Sequence, residues 1–317
     1  MVRTLDAECI RALECAHDAM PVEVLELRRG RNLAVFRRER VGGCAGDVAF
    51  LLHGSCASMV QWRDQLDALS ASHTIVALDL LGCGRSEKPV GWELYSFAEH
   101  HADLAELVRR FGAAPGRGRN VLLGHSMGCA LALGLAAKAP KLSIHALVLL
   151  APPCGTPAAA RGPLFRLPLW ILERLQPTLS AGFEAMALHP ETRAEDAAPE
   201  RREVLLLARA VNGLNEMHMC KAYYRQLEFP GPALLSQVTA PVLILHGEAD
   251  GAIDPAQSER LLPMLKGAEA RRQVVAGCSH QLMQERPAEV AAALCAFLAS
   301  AAGPASAEAA GASAAPP

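Results

Sequence analysis

No stretch of this 317-residue sequence runs for about 18 apolar residues without interruption, the length a helix needs to cross a bilayer, so a transmembrane segment is not expected. Nor is one sign of charge in excess. The 31 Lys and Arg face 33 Asp and Glu, a formal net charge of −2, which provides no electrostatic footprint for nucleic acid or an anionic membrane. The short basic pairs Arg28-Arg29 and Arg37-Arg38 read as solvated strand ends. There is also no C-x-x-C pair among the ten cysteines. They are scattered, several in apolar segments, which predicts free thiols packed as small hydrophobes rather than bridges or a zinc site, and hence a reducing compartment. The N-terminus mixes Asp6, Glu8, Glu14 and Asp18 with apolar positions, unlike a secretory signal or an acid-poor transit peptide. The expectation is a cytoplasmic protein with no metal and no cofactor, whose partner is a small, uncharged molecule.

What is present is ample core material. Hydrophobic residues make up 51% of the chain, enough for a globular protein that buries roughly three quarters of its unfolded surface. Residues 1–21 are expected to form a helical extension. The runs Val22–Leu27 and Asn32–Phe36 alternate polar with apolar and suit an antiparallel hairpin around Gly30, whereas Val48–Leu52 is continuously apolar, as a buried central strand should be. From there strands near 74–78, 121–123, 146–150, 242–245 and 272–275 alternate with helical stretches near 58–70, 97–111, 126–138, 255–266 and 287–300. That rhythm predicts an α/β fold with a mostly parallel central sheet and helices on both faces, built from 22–151 and 239–301. Residues 152–238 break it, being helical in pattern, bounded by prolines, apolar and Met-rich. Either a satisfied helical core or a lid with an adaptable apolar lining explains them, and the lid accounts better for the methionines. The Ala/Gly/Pro/Ser tail 302–317 has nothing to pack and is expected to be disordered.

The pentapeptide Gly124-His125-Ser126-Met127-Gly128 stands between the apolar run Val121-Leu122-Leu123 and a segment rich in helix formers. A serine at the tip of so tight a strand-to-helix turn is strained, and the flanking glycines leave room for neighbouring backbone. It would also sit at a helix N-terminus, where unpaired amides favour developing negative charge. A serine hydroxyl needs a base, and the base needs an acid to fix its tautomer. Both follow in chain order. Asp250 lies in a polar turn after the strand ending at Leu245, and His280 lies in a loop just past Val275. Each alone has a plainer reading, Asp250 as an Asx-turn or cap and His280 as an exposed turn residue. Open α/β sheets, however, bring such loops to one edge. Glu248 and Asp254 are rival acids, although Asp254-Pro255 reads as a helix start. After Val48–Leu52 comes His53-Gly54-Ser55, whose glycine permits a turn that aims the Ser55 amide toward that of Met127, as an oxyanion requires.

Together these segments resemble the α/β-hydrolases of the fold-1 type, a superfamily of esterases, monoacylglycerol lipases, C–C hydrolases and dehalogenases. The resemblance covers residues 22–300. It is carried by His53-Gly54 with Trp62 nine residues on, by Asp79-Leu80-Leu81-Gly82-Cys83-Gly84-Arg85-Ser86, by the pentapeptide, by Gly247-Glu248-Ala249-Asp250, and by His280 followed by Glu285-Arg286-Pro287. It implies Ser126, Asp250 and His280 as catalytic residues, Ser55 and Met127 as oxyanion donors, and His53, Gly54, Trp62 and His125 around the substrate. Asp79, Gly82, Gly84 and Ser86 are implied to form a structural loop. Dehalogenases and epoxide hydrolases of this type resemble one another in using an aspartate nucleophile, where this chain has Ser126. No convincing H-x4-D pattern of the acyltransferase-like members follows the core motifs. Two departures stand out: Gly277-Cys278-Ser279-His280 where Gly-x-Gly-His is familiar, and Cys129 where glycine is frequent.

The function expected is a serine esterase or lipase acting on an uncharged, largely apolar ester or lipid. A C–C bond hydrolase with the same triad is the alternative, marked by a lid arginine near the site such as Arg161, Arg166, Arg201, Arg202 or Arg225. A ligand-binding protein on a hydrolase scaffold is a third reading.

Overall fold

The structure, a computed structural model, describes residues 6–42, 46–114, 116–155 and 162–301. Its centre is one eight-stranded sheet: β1 Glu23–Arg28, β2 Arg31–Arg38, β3 Val48–Leu52, β4 Thr74–Leu78, β5 Asn120–His125, β6 Ile144–Leu150, β7 Val242–Gly247 and β8 Ala270–Val275. The spatial order is β1-β2-β4-β3-β5-β6-β7-β8. β1 and β2 form the expected antiparallel hairpin, turning at Gly30 with φ 71°, and β2 runs antiparallel to β4. From β4 to β8 every pairing is parallel.

The continuous apolar strands are buried on both faces, and their period of two sorts them into two layers. Phe50, Leu52, Val76, Leu78, Leu122 and Ile244 point to one side. There they meet Leu104, Leu107 and Val108 of the helix Phe97–Phe111 and the helix Met127–Lys138, apolar up to its last residue. Ala49, Leu51, Ile75, Ala77, Leu123 and Leu245 point to the other side, against Leu66 and Leu69 and against Val290, Leu294 and Phe297 of the helix Pro287–Ala301. Each fully buried Leu or Phe contributes about 1.5–3 kcal/mol. Ser96 caps the helix Phe97–Phe111 by accepting from the Glu99 amide, and Asp254 accepts from the Ala256 amide at 2.8 Å just ahead of the helix Ala256–Leu261.

Between β6 and β7 the described residues contain helices and no strand: Leu169–Ala187, Pro190–Arg193, Pro199–Gly213, Met217–Arg225 and Pro232–Leu235. Proline opens three of them, as its fixed φ favours. The segment is tied down over the strand ends: Tyr223 Oη donates to the Leu81 carbonyl at 2.6 Å, and Asn215 Nδ2 donates to that of Cys56 at 2.7 Å. The helix Ala7–Ala19 packs on it from outside. Its Cys9, Leu13 and Ala16 share one apolar cluster with Val60 and with Leu207 and Ala210 of the helix Pro199–Gly213. Among the described residues no helix is long and apolar enough to cross a membrane, and the nine described cysteines are unpaired. Cys44, Arg161 and the tail expected at 302–317 lie outside the described residues.

Candidate active site

Ser126 stands between β5 and its helix with φ 52° and ψ −118°, a conformation that costs a non-glycine residue about 1–3 kcal/mol. The surroundings hold it there. Its amide donates to the Leu150 carbonyl at 2.9 Å, and the Cys129 amide donates to its carbonyl at 3.0 Å. A side chain at Gly124 would stand 2.5 Å from the Gly128 carbonyl oxygen, and one at Gly128 2.5 Å from that of Leu52. Both glycines are therefore steric necessities. Cys129 fits because its thiol donates to the carbonyls of Gly124 and Leu150, at 3.1 and 3.3 Å.

Asp250 and His280 reach one another from separate loops. His280 Nδ1–H donates to Asp250 Oδ2 at 2.8 Å, which leaves Nε2 as the ring's acceptor. Asp250 Oδ1 accepts from the amides of Ala252 and Ile253, at 2.9 and 2.8 Å, and His246 Nε2 lies 3.2 Å from Oδ2. Burial by itself would raise this carboxyl. The charge of His280, the His246 bond and the Ile253 amide outweigh it and hold the group well below the usual carboxylate range. Of the rival acids, Asp254 caps the next helix and Glu248 accepts from the Gly277 amide at 3.4 Å.

The loop after β3 approaches from the opposite side. A side chain at Gly54 would come within 3.1 Å of Ser126 Cβ and His125 Nδ1, so glycine lets this loop lie against the elbow without displacing either. Cys56 turns the chain with φ 53°. Met127, first in its helix, has an amide with no acceptor inside the helix. His53 is fully buried: Nε2 accepts from the Leu80 amide at 2.9 Å and Nδ1–H donates to the Gly54 carbonyl at 2.7 Å, a bonding pattern that agrees with the downward push burial exerts on its pKa.

Gly54, Ser55, His125, Ser126 and His280 line one cavity that opens to solvent. Two residues expected around the substrate do not reach it. His53 is enclosed behind Gly54, and Trp62 is packed with Met59 and Leu66 in the core beneath the sheet. Each therefore shapes its loop from behind rather than meeting a ligand. The expected methionine lining is replaced by Phe183, Leu207, Ala208 and Val211, because Met217 and Met219 turn into the core. Arg166, Arg201, Arg202 and Arg225 are not on the cavity wall. Arg201 donates to the Gly277 carbonyl and pairs with Glu191, Arg202 pairs with Glu8, and Arg225 lies over Trp92. Among the described residues no group of three or more His, Cys, Asp or Glu side chains is placed to hold a metal.

Sequence reading missed several supports. Ser279, the departure before His280, donates to the carbonyls of Met186 and Ala249, at 3.0 and 3.1 Å, tying the end of the helix Leu169–Ala187 to the acid loop. The buried carboxylate of Glu285 accepts from the Ser279 amide, the His189 amide and Thr192 Oγ1, all within 2.7 Å. The Asp79 loop acts at one remove: its carboxylate accepts from Ser58 Oγ and the Met59 amide, fixing the turn that carries Gln61 into the cavity wall. The motifs mark the Asp79 loop as structural and place Glu285 after His280, but they do not say which groups these residues hold.

The chain belongs to the alpha/beta hydrolase family, whose model matches residues 49–293. It is similar to human Protein ABHD8, 26% identical over 86% of this chain, and spans about 60% of the length of that relative. It is likewise similar to Epoxide hydrolase 3 of Xenopus tropicalis, 30% identical over 77% of this chain and 69% of the other. Among solved structures, a thermophilic esterase from Thermogutta terrifontis shares the fold with a TM-score of 0.69, at 20% identity over 86% of this chain and 94% of that one.

Proposed function

We propose that this chain is a serine hydrolase of uncharged carboxylic esters, working through an acyl-enzyme. In this reading His280 takes the proton of Ser126 as the hydroxyl attacks the ester carbonyl, and Asp250 orients the ring and stabilises its cation. The amides of Ser55 and Met127 donate to the oxyanion. His280 then returns the proton to the departing alcohol, and water, activated by the same nitrogen, releases the acid and restores Ser126. The observation that carries the reading is the 2.8 Å bond from His280 Nδ1 to Asp250, made by a ring that lines the same cavity as the strained Ser126. The amphibian relative bears the name of an epoxide hydrolase; the serine at position 126, in place of the aspartate that kind of enzyme is implied to use, supports ester chemistry here. Ser126→Ala should abolish turnover of short p-nitrophenyl esters together with labelling by a fluorophosphonate probe. Labelling retained in that variant sinks the assignment.

A further inference from the structure

Four residues lining the cavity beside Ser126 bear side-chain amides: Gln61, Gln281 and Gln284 from the body of the fold, and Asn212 from the helix Pro199–Gly213. Gln61 is 4% exposed, and among the described residues neither its Nε2 nor its Oε1 has a hydrogen-bond partner. Gln281 Oε1 is likewise enclosed and unpartnered. Buried amides without partners are rare because desolvation is then uncompensated. A group that enters the cavity can supply the missing bonds. The terminal torsion of glutamine is broad, so either end of the Gln61 amide can turn toward a ligand. No Lys, Arg, Asp or Glu is among the described residues lining the cavity, so nothing there compensates a charge brought in from water.

We propose that Gln61, with Gln281, Gln284 and Asn212 around it, forms a recognition subsite for an uncharged group that both donates and accepts hydrogen bonds, a hydroxyl or a carboxamide, on the part of the substrate remote from the scissile carbonyl. Amides complement such a group at both ends, whereas an alkyl group leaves them unsatisfied and a charged group has no counterion. The subsite rests on the reading of the cavity as an ester hydrolase site. It replaces a purely apolar substrate with one that is apolar along its chain and polar at a neutral end.

The test is a matched series of butanoate esters whose alcohol ends in methyl, hydroxyl, carboxamide, carboxylate or trimethylammonium, with a second series carrying the same groups on the acyl side. In one series the hydroxyl or carboxamide ester should exceed its methyl counterpart at least about tenfold in kcat/KM, with both charged esters below it. In Gln61→Leu that ratio should fall to about threefold or less, and Asn212→Leu serves in its place if that variant does not fold. Equal rates for methyl and neutral polar esters in both series overturn the proposal, as does a preference unchanged in both variants. Should no ester be turned over and Ser126 resist fluorophosphonate, the hydrolase reading fails separately. The subsite is then read from binding of N-(2-hydroxyethyl)butanamide, which should be about tenfold tighter than that of N-propylbutanamide, and equal affinities overturn it.

Discussion

The Nε2–H of His125 donates to the backbone carbonyl of His280 at 2.9 Å, so the residue before the candidate nucleophile holds the strand of chain that carries the candidate base. The two rings lie 4.6 Å apart, tilted by 52°. Burial, and then the nearby His280, push the His125 pKa well down, consistent with a neutral ring whose one proton is committed to this bond. His125→Leu should therefore lower kcat for a short ester about tenfold, the equivalent of one hydrogen bond, with a smaller change in KM. Steady-state kinetics checks it, and an unchanged kcat contradicts it.

Asp250→Asn removes the acceptor that fixes the His280 tautomer. The expected loss in kcat is roughly 10²–10⁴-fold, with fluorophosphonate labelling slowed in parallel. Its folded-state carboxyl is depressed, so its stabilising effect is complete above the unfolded pKa of about 4 and is lost as pH falls from there toward the folded value. Melting curves taken downward from about pH 5 should show a shallower acid loss in the Asn variant than in the parent.

His100 is fully buried, stacked on Tyr223 at 5.1 Å, and among the described residues neither ring nitrogen has a partner. Burial, then the charge of Arg31, pushes its pKa down to about 3. The unfolded chain binds a proton at this residue below about pH 6.5 while the folded chain does not, so stability falls as pH drops through the window from there to about 3. That amounts to about 2 kcal/mol at pH 5. His100→Phe should narrow the difference in melting temperature between pH 7.5 and pH 5, and an undiminished difference argues against the assignment.

Arg31 is 4% exposed and donates from Nε to Asp103 Oδ1 at 2.6 Å, while Arg28 Nε reaches the same oxygen at 2.7 Å. Removing one guanidinium leaves a buried carboxylate half-compensated. Arg31→Met should destabilise by about 3 kcal/mol, the low end for a broken buried pair because Arg28 remains. Adding Asp103→Leu should recover much of it, as denaturant titration would show.

The sheet was legible because its signal is local. Val48–Leu52 and the elbow announce themselves within five residues each, and the helix Phe97–Phe111 begins and ends where its periodicity and its Ser96 cap require. Ser126, Asp250 and His280 could be read from their places just past strands. Gln61 could not. Its significance lies in the partners it lacks, and those depend on where helices from three distant segments come to rest. Trp62 misled for the converse reason: an aromatic near a site motif looks like a contact, but its position in a short helix turns it under the sheet. The partners Met186 of Ser279 and Thr192 of Glu285 were hidden because they lie on the segment between β6 and β7, far away in sequence.

The outer helix Ala7–Ala19 touches nothing in the chamber, yet Val60 and Leu207, which do line it, share an apolar cluster with Cys9, Leu13 and Ala16. The dimensions of the chamber are thus set partly from behind, by a segment whose substitution would shift the wall. Altered substrate selectivity with intact chemistry at Ser126 would be the mark of such a disturbance. In engineering terms, the helix Ala7–Ala19 is a place to retune which molecules enter without touching any residue that meets them.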